Sequence, residues 1–252
     1  MDGKIGIPRI IHYCWFGGNN KPKDIIAYMK TWKEVLPDYS FIEWNEDNFD
    51  INTAPDYVKE AYKEKKYAFV SDYVRIKALY EYGGIYFDTD VEVLRPFDQY
   101  FKNFSLVLGF ESDRLLTTAF IACHRHNQFI GEFLNTYKNR KFIYDDGSLD
   151  TSTINEHFSD QAERWGVDLD RDEMQNFGEN YIVYPREIFC GFDVKNWHIK
   201  VTENTCVVHH MASSWVNSRK KLYFATIYFL QKMLGYRKYD KLKALYDRFK
   251  QM

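Results

Sequence analysis

Residues 68–94, AFVSDYVRIKALYEYGGIYFDTDVEVL, constrain the fold of this chain more than any other stretch. Their apolar side chains first recur at helical spacing, which predicts a helix with one buried face. Gly83 and Gly84 are expected to end this helix, because glycine adopts a left-handed cap conformation without a Cβ clash. The short apolar run 85–87 then predicts a buried strand, and the acidic triplet 88–90 follows it directly.

Asp88 and Asp90 form a carboxylate pair at the end of this predicted strand. Two carboxylates so close repel each other unless a cation lies beside them, and burying them unpaired is costly. Oxygen ligands suit a hard divalent ion, Mg²⁺ or Mn²⁺, which keeps open positions for phosphate oxygens. Apolar strand residues flank the pair on both sides, which favours a metal site over a solvated turn.

Asp72 and Arg75 lie three residues apart on the preceding helix and therefore share a face. They could form a surface ion pair, with Ser71 and Asp72 capping the helix. Alternatively, both side chains point toward the acidic triplet and hold a polar ligand. Their spacing alone leaves both interpretations open.

The chain before this block alternates strands and helices. Apolar runs predict strands over 5–16 and 41–44, and helical patterns cover 22–36 and 55–66. This alternation predicts an α/β fold with a mainly parallel central sheet flanked by helices. Such folds place a nucleotide beyond the carboxyl ends of their strands, and the glycine loop 17–20 follows the first strand at that place.

Further strands are predicted after the acidic triplet, over 105–110, 116–122, 181–185, 190–192 and 205–210. Asn127 is expected to cap a helix that runs to about Tyr137. The histidines of the segment 124–126 could bind a metal or could be solvated loop residues.

The polar loop 145–150 precedes a hydroxyl-rich helix start at 151–153, and the helical pattern continues to Phe158. This loop and helix start could form an acceptor-side surface or a plain loop and cap. The stretch 161–178 is polar, and we expect it to be irregular.

Composition limits the function classes. A net charge of −2 gives no global signature of nucleic-acid binding. The absence of a long apolar run and of a basic, then apolar, N-terminal segment leads us to expect neither a spanning helix nor a secretory signal. The four cysteines lie in apolar surroundings without a Cys-x-x-Cys pair, so we expect reduced core cysteines in a cytoplasmic protein rather than a zinc site.

The C-terminal stretch from Arg219 has ten Lys or Arg residues against two Asp, and its apolar residues recur at helical spacing. We therefore divide the chain into a catalytic domain over 1–216 and a basic amphipathic helical tail over 217–252. The tail could pack its apolar face on the domain. It could also bind anionic lipid at the inner face of the cytoplasmic membrane.

Two blocks of the sequence resemble a known family. The strings SDYVRIKALYEYGGIYFDTD and IPRIIHYCWFGG are similar to the donor-sugar-binding and opening blocks of the DXD-containing glycosyltransferases of family 32. That family includes capsule and O-antigen sugar transferases, and the large clostridial glucosylating toxins carry a related block. The resemblance implies a GT-A type nucleotide-sugar-binding fold and transfer of a hexose with retention at the anomeric carbon.

The resemblance also implies roles for single residues near the donor. It makes Trp15 the platform for the nucleotide base, with the Cys14 backbone at the base edge. It makes Asp90 a ligand of Mn²⁺ or Mg²⁺, with Asp88 assisting directly or through water. Asp72 and Arg75 would bind sugar hydroxyls and sugar or phosphate oxygens. The substrate-binding set is completed by Ser71, Tyr86 and Asp88.

A closing loop over the metal and diphosphate is implied by the similar pattern after the strand 205–210. By this resemblance His210 is a metal ligand, Ser213 binds the metal directly or bonds one of its ligands, and Trp215 donates its indole N–H to the β-phosphate. His209 would then be a packing residue.

These observations predict a metal-dependent glycosyltransferase that moves a hexose from a nucleotide sugar, with UDP as the carrier implied by resemblance. The expected acceptor is a saccharide or lipid-linked oligosaccharide in the assembly of capsule, lipopolysaccharide or another surface polysaccharide. Three alternatives stay open: a toxin-like transferase that modifies a protein, a metal-dependent phosphatase or nuclease, and a non-catalytic carbohydrate-binding module.

Overall fold

A computed structural model describes residues 6–194, 198–211 and 233–234 of the chain. Its α-helices are α1 Lys23–Val35, α2 Asp56–Lys63, α3 Tyr67–Tyr82, α4 Gln128–Thr136, α5 Ile154–Arg164 and α6 Arg186–Phe189. The first six strands are β1 Ile10–Cys14, β2 Ser40–Trp44, β3 Gly84–Phe87, β4 Val91–Val93, β5 Leu106–Ser112 and β6 Leu115–Leu116. The later strands are β7 Phe120–Cys123, β8 Gln175–Phe177, β9 Tyr181–Tyr184, β10 Phe192–Asp193, β11 His198–Ile199 and β12 Val207–His209.

One large mixed sheet organises the described part of the chain, with strand order β2-β1-β3-β7-β5-β9-β8 and β6 paired to β5. Strands β1, β2 and β3 are parallel neighbours, and β5 and β9 are a second parallel pair. Strand β7 lies between these groups and is antiparallel to both β3 and β5. Five strands on this path therefore share one direction, which confirms the predicted α/β class with a mainly parallel sheet flanked by helices.

Buried side chains form a core on each face of this sheet. Helices α2 to α5 pack on one face, where Tyr57, Val74, Phe133 and Phe158 are almost wholly buried. Helices α1 and α6 pack on the other face, through Trp32 and Phe189 among others. The sheet is covered on both sides, so its polar chemistry is concentrated at the strand ends.

Helix α3 ends where the sequence predicts. Gly83 has φ +66° and donates its N–H to Leu79 O, and a Cβ at this position would lie 2.6 Å from Arg125 N. Only glycine can adopt this positive φ and also leave room for the Arg125 backbone without strain. The helix therefore turns directly into β3, which lies beside β1 in the centre of the sheet.

The cap predicted at Asn127 is also confirmed, and the structure adds a second cap. The Asn127 side chain accepts a hydrogen bond from Ile130 N at the start of α4. Thr153 and Glu156 form a capping box at the start of α5, which is the mutual arrangement that this pair favours.

Other boundaries differ from the predictions. The stretch 116–122, predicted as one strand, splits into the end of β6 and the start of β7, because Thr117 turns the chain: its N–H bonds Gly109 O and its hydroxyl accepts from Ala119 N. The stretch 161–178, expected to be irregular, contains the end of α5 and the strand β8. β8 forms because it pairs with β9.

A two-stranded antiparallel ribbon joins distant parts of the chain next to the acidic triplet. In it β12 pairs with β4 so that His209 faces Val91 and Val207 faces Val93. His210 N continues the pairing by donating to Asp90 O at 3.0 Å. This ribbon brings the histidines near residue 210 to the acidic pair near residue 90.

The four cysteines are free and buried, as expected. No helix within the described residues is long and apolar enough to cross a bilayer. The basic tail lies outside the described residues except for Met233 and Leu234, so its division from the catalytic domain stays a prediction.

Candidate functional site

Asp72 and Arg75 form a buried ion pair on α3. Arg75 Nη2 lies 2.8 Å from Asp72 Oδ1, and the two residues are 8% and 5% exposed. The structure thus excludes the surface ion pair that the sequence left open. Because Arg75 Nη1 also lies 3.3 Å from Asp88 Oδ1, the pair points toward the acidic triplet.

Arg75 connects three elements at this end of the sheet. Beyond the two carboxylates, Nη1 donates to the carbonyl of Thr118 at 2.9 Å and contacts its hydroxyl at 3.2 Å. The hydroxyl of Thr118 in turn donates to Asn155 Oδ1 at 2.9 Å. A guanidinium with a fixed fork of donors suits this role, since it binds several acceptors in fixed directions.

Asp88 is held from two sides. Tyr86, 1% exposed, donates its hydroxyl to Asp88 Oδ1 at 3.1 Å, while the Arg75 guanidinium lies 4.6 Å from the Tyr86 ring centroid. The backbone of Asp88 is fixed as well, since its N–H bonds Ala119 O and its carbonyl accepts from Val91 N. Tyr86 therefore holds the Asp88 carboxylate from the buried side.

Asp88, Asp90 and His209 make up a cluster that could hold a metal ion. Each offers one ligand atom, and these atoms all lie within 4.8 Å of one another. Two carboxylates and an imidazole suit Mn²⁺ well, and carboxylates also suit Mg²⁺. The donor set therefore fits a divalent ion, and it includes Asp88 and Asp90, the two carboxylates predicted as ligands.

The two histidines exchange the roles predicted for them. His209 Nε2 lies 3.4 Å from Asp90 Oδ1, so His209, predicted as a packing residue, is the histidine in the cluster. His210, predicted as a ligand, instead places Nε2 2.7 Å from Glu92 Oε2 and stacks on Tyr28 at a centroid distance of 4.0 Å. The reason is the register of β12 on β4, which turns His209 toward the acidic pair.

Burial and charge perturb the site's ionisation. Burial raises the pKa of Asp72 to about 6, although Arg75 opposes the change. Burial also raises the pKa of Asp88, again against Arg75. For His209, burial alone would lower the pKa, but Asp90 and Glu111 outweigh it and raise the pKa well above its usual value. A concentration of negative charge that stabilises a cation is typical of functional sites.

The proposed base platform lies at the same edge of the sheet, because β1 and β3 are parallel. Trp15 is half-buried, and its indole Nε1 donates to Asn19 O at 2.6 Å. Cys14 is buried, and burial raises the pKa of its thiol to about 12. The Ser71 hydroxyl donates to Tyr67 O within α3.

Two predicted site residues, Ser213 and Trp215, lie outside the described residues. Conversely, sequence reasoning missed Glu111, Thr118 and Asn155, which join the site through His209 or Arg75. The sequence holds no local signal for them, since each reaches the site through a long-range contact.

Residues 22–106 match the family model of the glycosyltransferase sugar-binding region containing DXD motif. This region contains α3, β3 and both aspartates of the acidic pair. The chain therefore carries a sequence region typical of glycosyltransferases.

Curated relatives match the chain over part of its length. Inositol phosphoceramide mannosyltransferase 3 of Schizosaccharomyces pombe is 34% identical over 95 residues, 36% of this chain and 26% of the relative. The initiation-specific alpha-1,6-mannosyltransferase of Candida albicans is 27% identical over 110 residues, 40% of this chain and 29% of the relative. The chain thus spans between a quarter and a third of the length of these relatives.

Among solved structures, the PaToxG glycosyltransferase superposes with a TM-score of 0.48 at 20% sequence identity, covering 63% of this chain and 69% of that chain. The two curated relatives are mannosyltransferases by name, and the matched solved structure is named as a glycosyltransferase.

Proposed function

We propose that this chain is a metal-dependent, retaining glycosyltransferase of the GT-A type that moves a hexose from a nucleotide sugar to a saccharide acceptor. The observation that carries the proposal is the cluster of Asp88, Asp90 and His209 beside the buried Asp72–Arg75 pair. The matched sugar-binding region at 22–106 supports it, because that region includes both aspartates and the ion pair.

Asp88, Asp90 and His209 would hold Mn²⁺ or Mg²⁺ in this proposal. When bound, the ion supplies Lewis-acid and electrostatic stabilisation of charge that develops on a diphosphate leaving group. Tyr86 and Arg75 keep the Asp88 carboxylate in place from the buried side, so little reorganisation is needed when the ion and diphosphate arrive.

Asp72 and Arg75 would orient the donor sugar. Asp72 accepts hydrogen bonds from sugar hydroxyls, and the guanidinium of Arg75 donates to sugar or phosphate oxygens. Because Arg75 also bonds Thr118 and Asp72, its fork is held in one direction. Trp15, at the same edge of the sheet, stacks on the nucleotide base.

Transfer then breaks the bond between the anomeric carbon and the β-phosphate oxygen, and forms a bond from that carbon to the acceptor oxygen. The acceptor's proton passes to the departing phosphate oxygen on the same face of the sugar, so the anomeric configuration is retained. We favour this front-face path because none of the described carboxylates is assigned as a nucleophile: Asp72 and Asp88 are tied to Arg75, and Asp90 belongs to the metal cluster.

We propose UDP as the nucleotide and a glycan under assembly, such as a surface polysaccharide, as the acceptor. The name of one relative, inositol phosphoceramide mannosyltransferase 3, supports a lipid-linked acceptor over a protein. A cytoplasmic location, with the basic tail on the inner face of the membrane, belongs to the same proposal. The alternative is a toxin-like transferase with a protein acceptor.

A donor screen tests the proposal directly. The full chain would be incubated with UDP- and GDP-sugars, Mn²⁺ and a panel of saccharide acceptors, with released nucleoside diphosphate and glycosylated product measured together. We expect acceptor-dependent release that stops on addition of a chelator. Asp90→Asn and Asp72→Asn should each reduce it by at least about 100-fold, since loss of one charge-stabilising group typically has such an effect.

Asp56→Asn is the matched control, because it removes one carboxylate from an exposed helix position without touching the site. Nucleotide hydrolysis at the same rate with and without a saccharide acceptor would favour a phosphatase. Glycan binding that needs neither nucleotide nor metal would favour a carbohydrate-binding module. Undiminished transfer by Asp90→Asn would refute the assigned site.

A further inference from the structure

Glu111 occupies an irregular position at the end of β5. In the pairing of β5 with β6, Phe110 faces Leu116 and Ser112 faces Leu115, so the register shifts by one residue between them. Glu111 is the extra residue of this bulge. Bulges re-aim a side chain and are over-represented next to active sites, and nothing in the pairing of β5 with β6 explains why this residue is acidic.

The re-aimed carboxylate reaches the far side of the His209 ring. Glu111 Oε2 lies 3.4 Å from His209 Nδ1, and Asp90 Oδ1 lies 3.4 Å from the opposite nitrogen, Nε2. The side chains of His209 and Glu111 are only 11% and 14% exposed. The imidazole is therefore enclosed between one carboxylate of the acidic pair and one from the bulge.

The carboxylates of Asp90 and Glu111 face the two nitrogens of the His209 ring. The backbone of His209 is anchored, since its N–H donates to Cys190 O at 2.8 Å. The buried Nδ1, however, makes no hydrogen bond to any described residue, and the carboxylate oxygen of Glu111 lies 3.4 Å from it. Removal of the Glu111 carboxylate would leave this nitrogen without a nearby acceptor among the described residues.

We propose that Glu111 is a positioning residue of the metal site. Its carboxylate accepts a hydrogen bond from the Nδ1–H of His209 and so directs Nε2 toward Asp88 and Asp90. The inference rests on the proposed metal-dependent transfer. A histidine that ligates a metal generally donates its other ring N–H to such an acceptor, which fixes the tautomer and raises the basicity of the ligand. Glu111 meets this requirement from a third segment of the chain.

Glu111 acts through the histidine and is not a fourth ligand in this arrangement. It faces the nitrogen opposite to the one near Asp90. The side chains whose ligand atoms converge within 4.8 Å are Asp88, Asp90 and His209. Removal of the Glu111 carboxylate should therefore weaken Mn²⁺ binding only while His209 is present.

A double-mutant cycle on Mn²⁺ binding tests this dependence. Free Mn²⁺ would be quantified by its electron paramagnetic resonance signal during titration of the full chain, with and without UDP. We expect Glu111→Ala and His209→Ala each to weaken binding by about tenfold or more. The double variant should bind as His209→Ala does. Glu111→Gln, which keeps an acceptor oxygen, should recover most of the loss.

Glu92→Gln is the matched control, because Glu92 is a nearby carboxylate that bonds His210 instead. An equal loss in Glu92→Gln, or additive losses in the double variant, would overturn the proposal in favour of long-range charge. If Asp90→Ala weakens binding while Glu111→Ala and Glu111→Gln bind normally, only this inference fails. If Asp90→Ala also binds normally, the proposed metal site fails with it. Circular dichroism would confirm that each variant is folded.

Discussion

The hydroxyl of Tyr86 donates to Asp88 Oδ1 at 3.1 Å, from a ring that is 1% exposed. Tyr86 in β3 thus supports a carboxylate that directly follows the same strand, two residues further along the chain. Because the two residues are close in the sequence, this hydrogen bond depends on no long-range contact. It ties the position of Asp88 to the packing of β3 in the sheet.

Tyr86→Phe keeps the ring and removes this hydrogen bond. We expect the chain to lose about 1 kcal/mol of stability in urea unfolding, the usual value of one such bond. The pKa of Asp88 should rise further, since the Tyr86 hydroxyl lowers it, so Mn²⁺ binding near pH 6 should weaken. Tyr137→Phe is the control, because the buried Tyr137 hydroxyl has no hydrogen-bond partner among the described residues. An equal loss in Tyr137→Phe would contradict the argument.

Arg75→Lys keeps the charge and removes the fork of donors. An ammonium cannot reach Asp72, Asp88 and the Thr118 carbonyl together, so Asp72 would stay buried and poorly paired. We expect a loss of roughly 3 kcal/mol in unfolding free energy, as for other broken buried pairs, and no measurable transfer. Arg114→Lys, at an exposed pair with Glu163, should behave as the wild type in both assays.

Stability of the metal-free protein should depend on the ionisation of Asp72. Burial raises its pKa to about 6, above the value near 3.9 of an unfolded chain. Between these values the folded state binds the proton more tightly, so stability is greatest below about pH 4 and falls as pH rises through about 6. The asparagine side chain of Asp72→Asn does not titrate in this pH range. The difference in unfolding free energy between wild type and Asp72→Asn should therefore shift against the wild type by about 2 kcal/mol from pH 4 to pH 7. A flat difference would refute the raised pKa.

Gly83→Ala should damage the joint between α3 and β3. Gly83 has φ +66°, and an added Cβ would lie 2.6 Å from the backbone nitrogen of Arg125. Gly18→Ala is the matched control, with φ +65° but nothing within 4 Å of the added atom. We expect the control to lose about 1 kcal/mol from backbone strain and Gly83→Ala to lose several times as much in urea unfolding. Equal losses would show that the close approach is unimportant.

The sequence predicts best the features that neighbouring residues determine. The end of α3 at Gly83, the cap at Asn127 and the place of Asp88 after a buried strand all follow from residues a few positions apart, and the structure has them. The mainly parallel sheet follows from the alternation of apolar runs. Each of these depends on local backbone preference or on the period of apolar side chains.

Features that depend on strand register were not predictable in this way. A shift of one residue in the pairing of β12 with β4 would exchange the faces of His209 and His210, and no local signal specifies that register. Glu111 reaches His209 only because of a bulge in β5. Both contacts arise from the packing of segments that lie far apart in the sequence.

The two adjacent histidines give the sharpest test of that register. His209 lies beside Asp90, whereas His210 bonds Glu92 and stacks on Tyr28. We expect His209→Gln to weaken Mn²⁺ binding by about tenfold or more, because it removes a ligand nitrogen, and to reduce transfer accordingly. His210→Gln can still bond Glu92, so its Mn²⁺ affinity should stay within about threefold of the wild type, a difference of less than 1 kcal/mol. Mn²⁺ titrations of both variants test this expectation, with thermal unfolding to check that each variant is folded. A larger loss of Mn²⁺ affinity in His210→Gln would favour His210, the ligand predicted from the sequence. It would also show that β12 pairs with β4 in the other register.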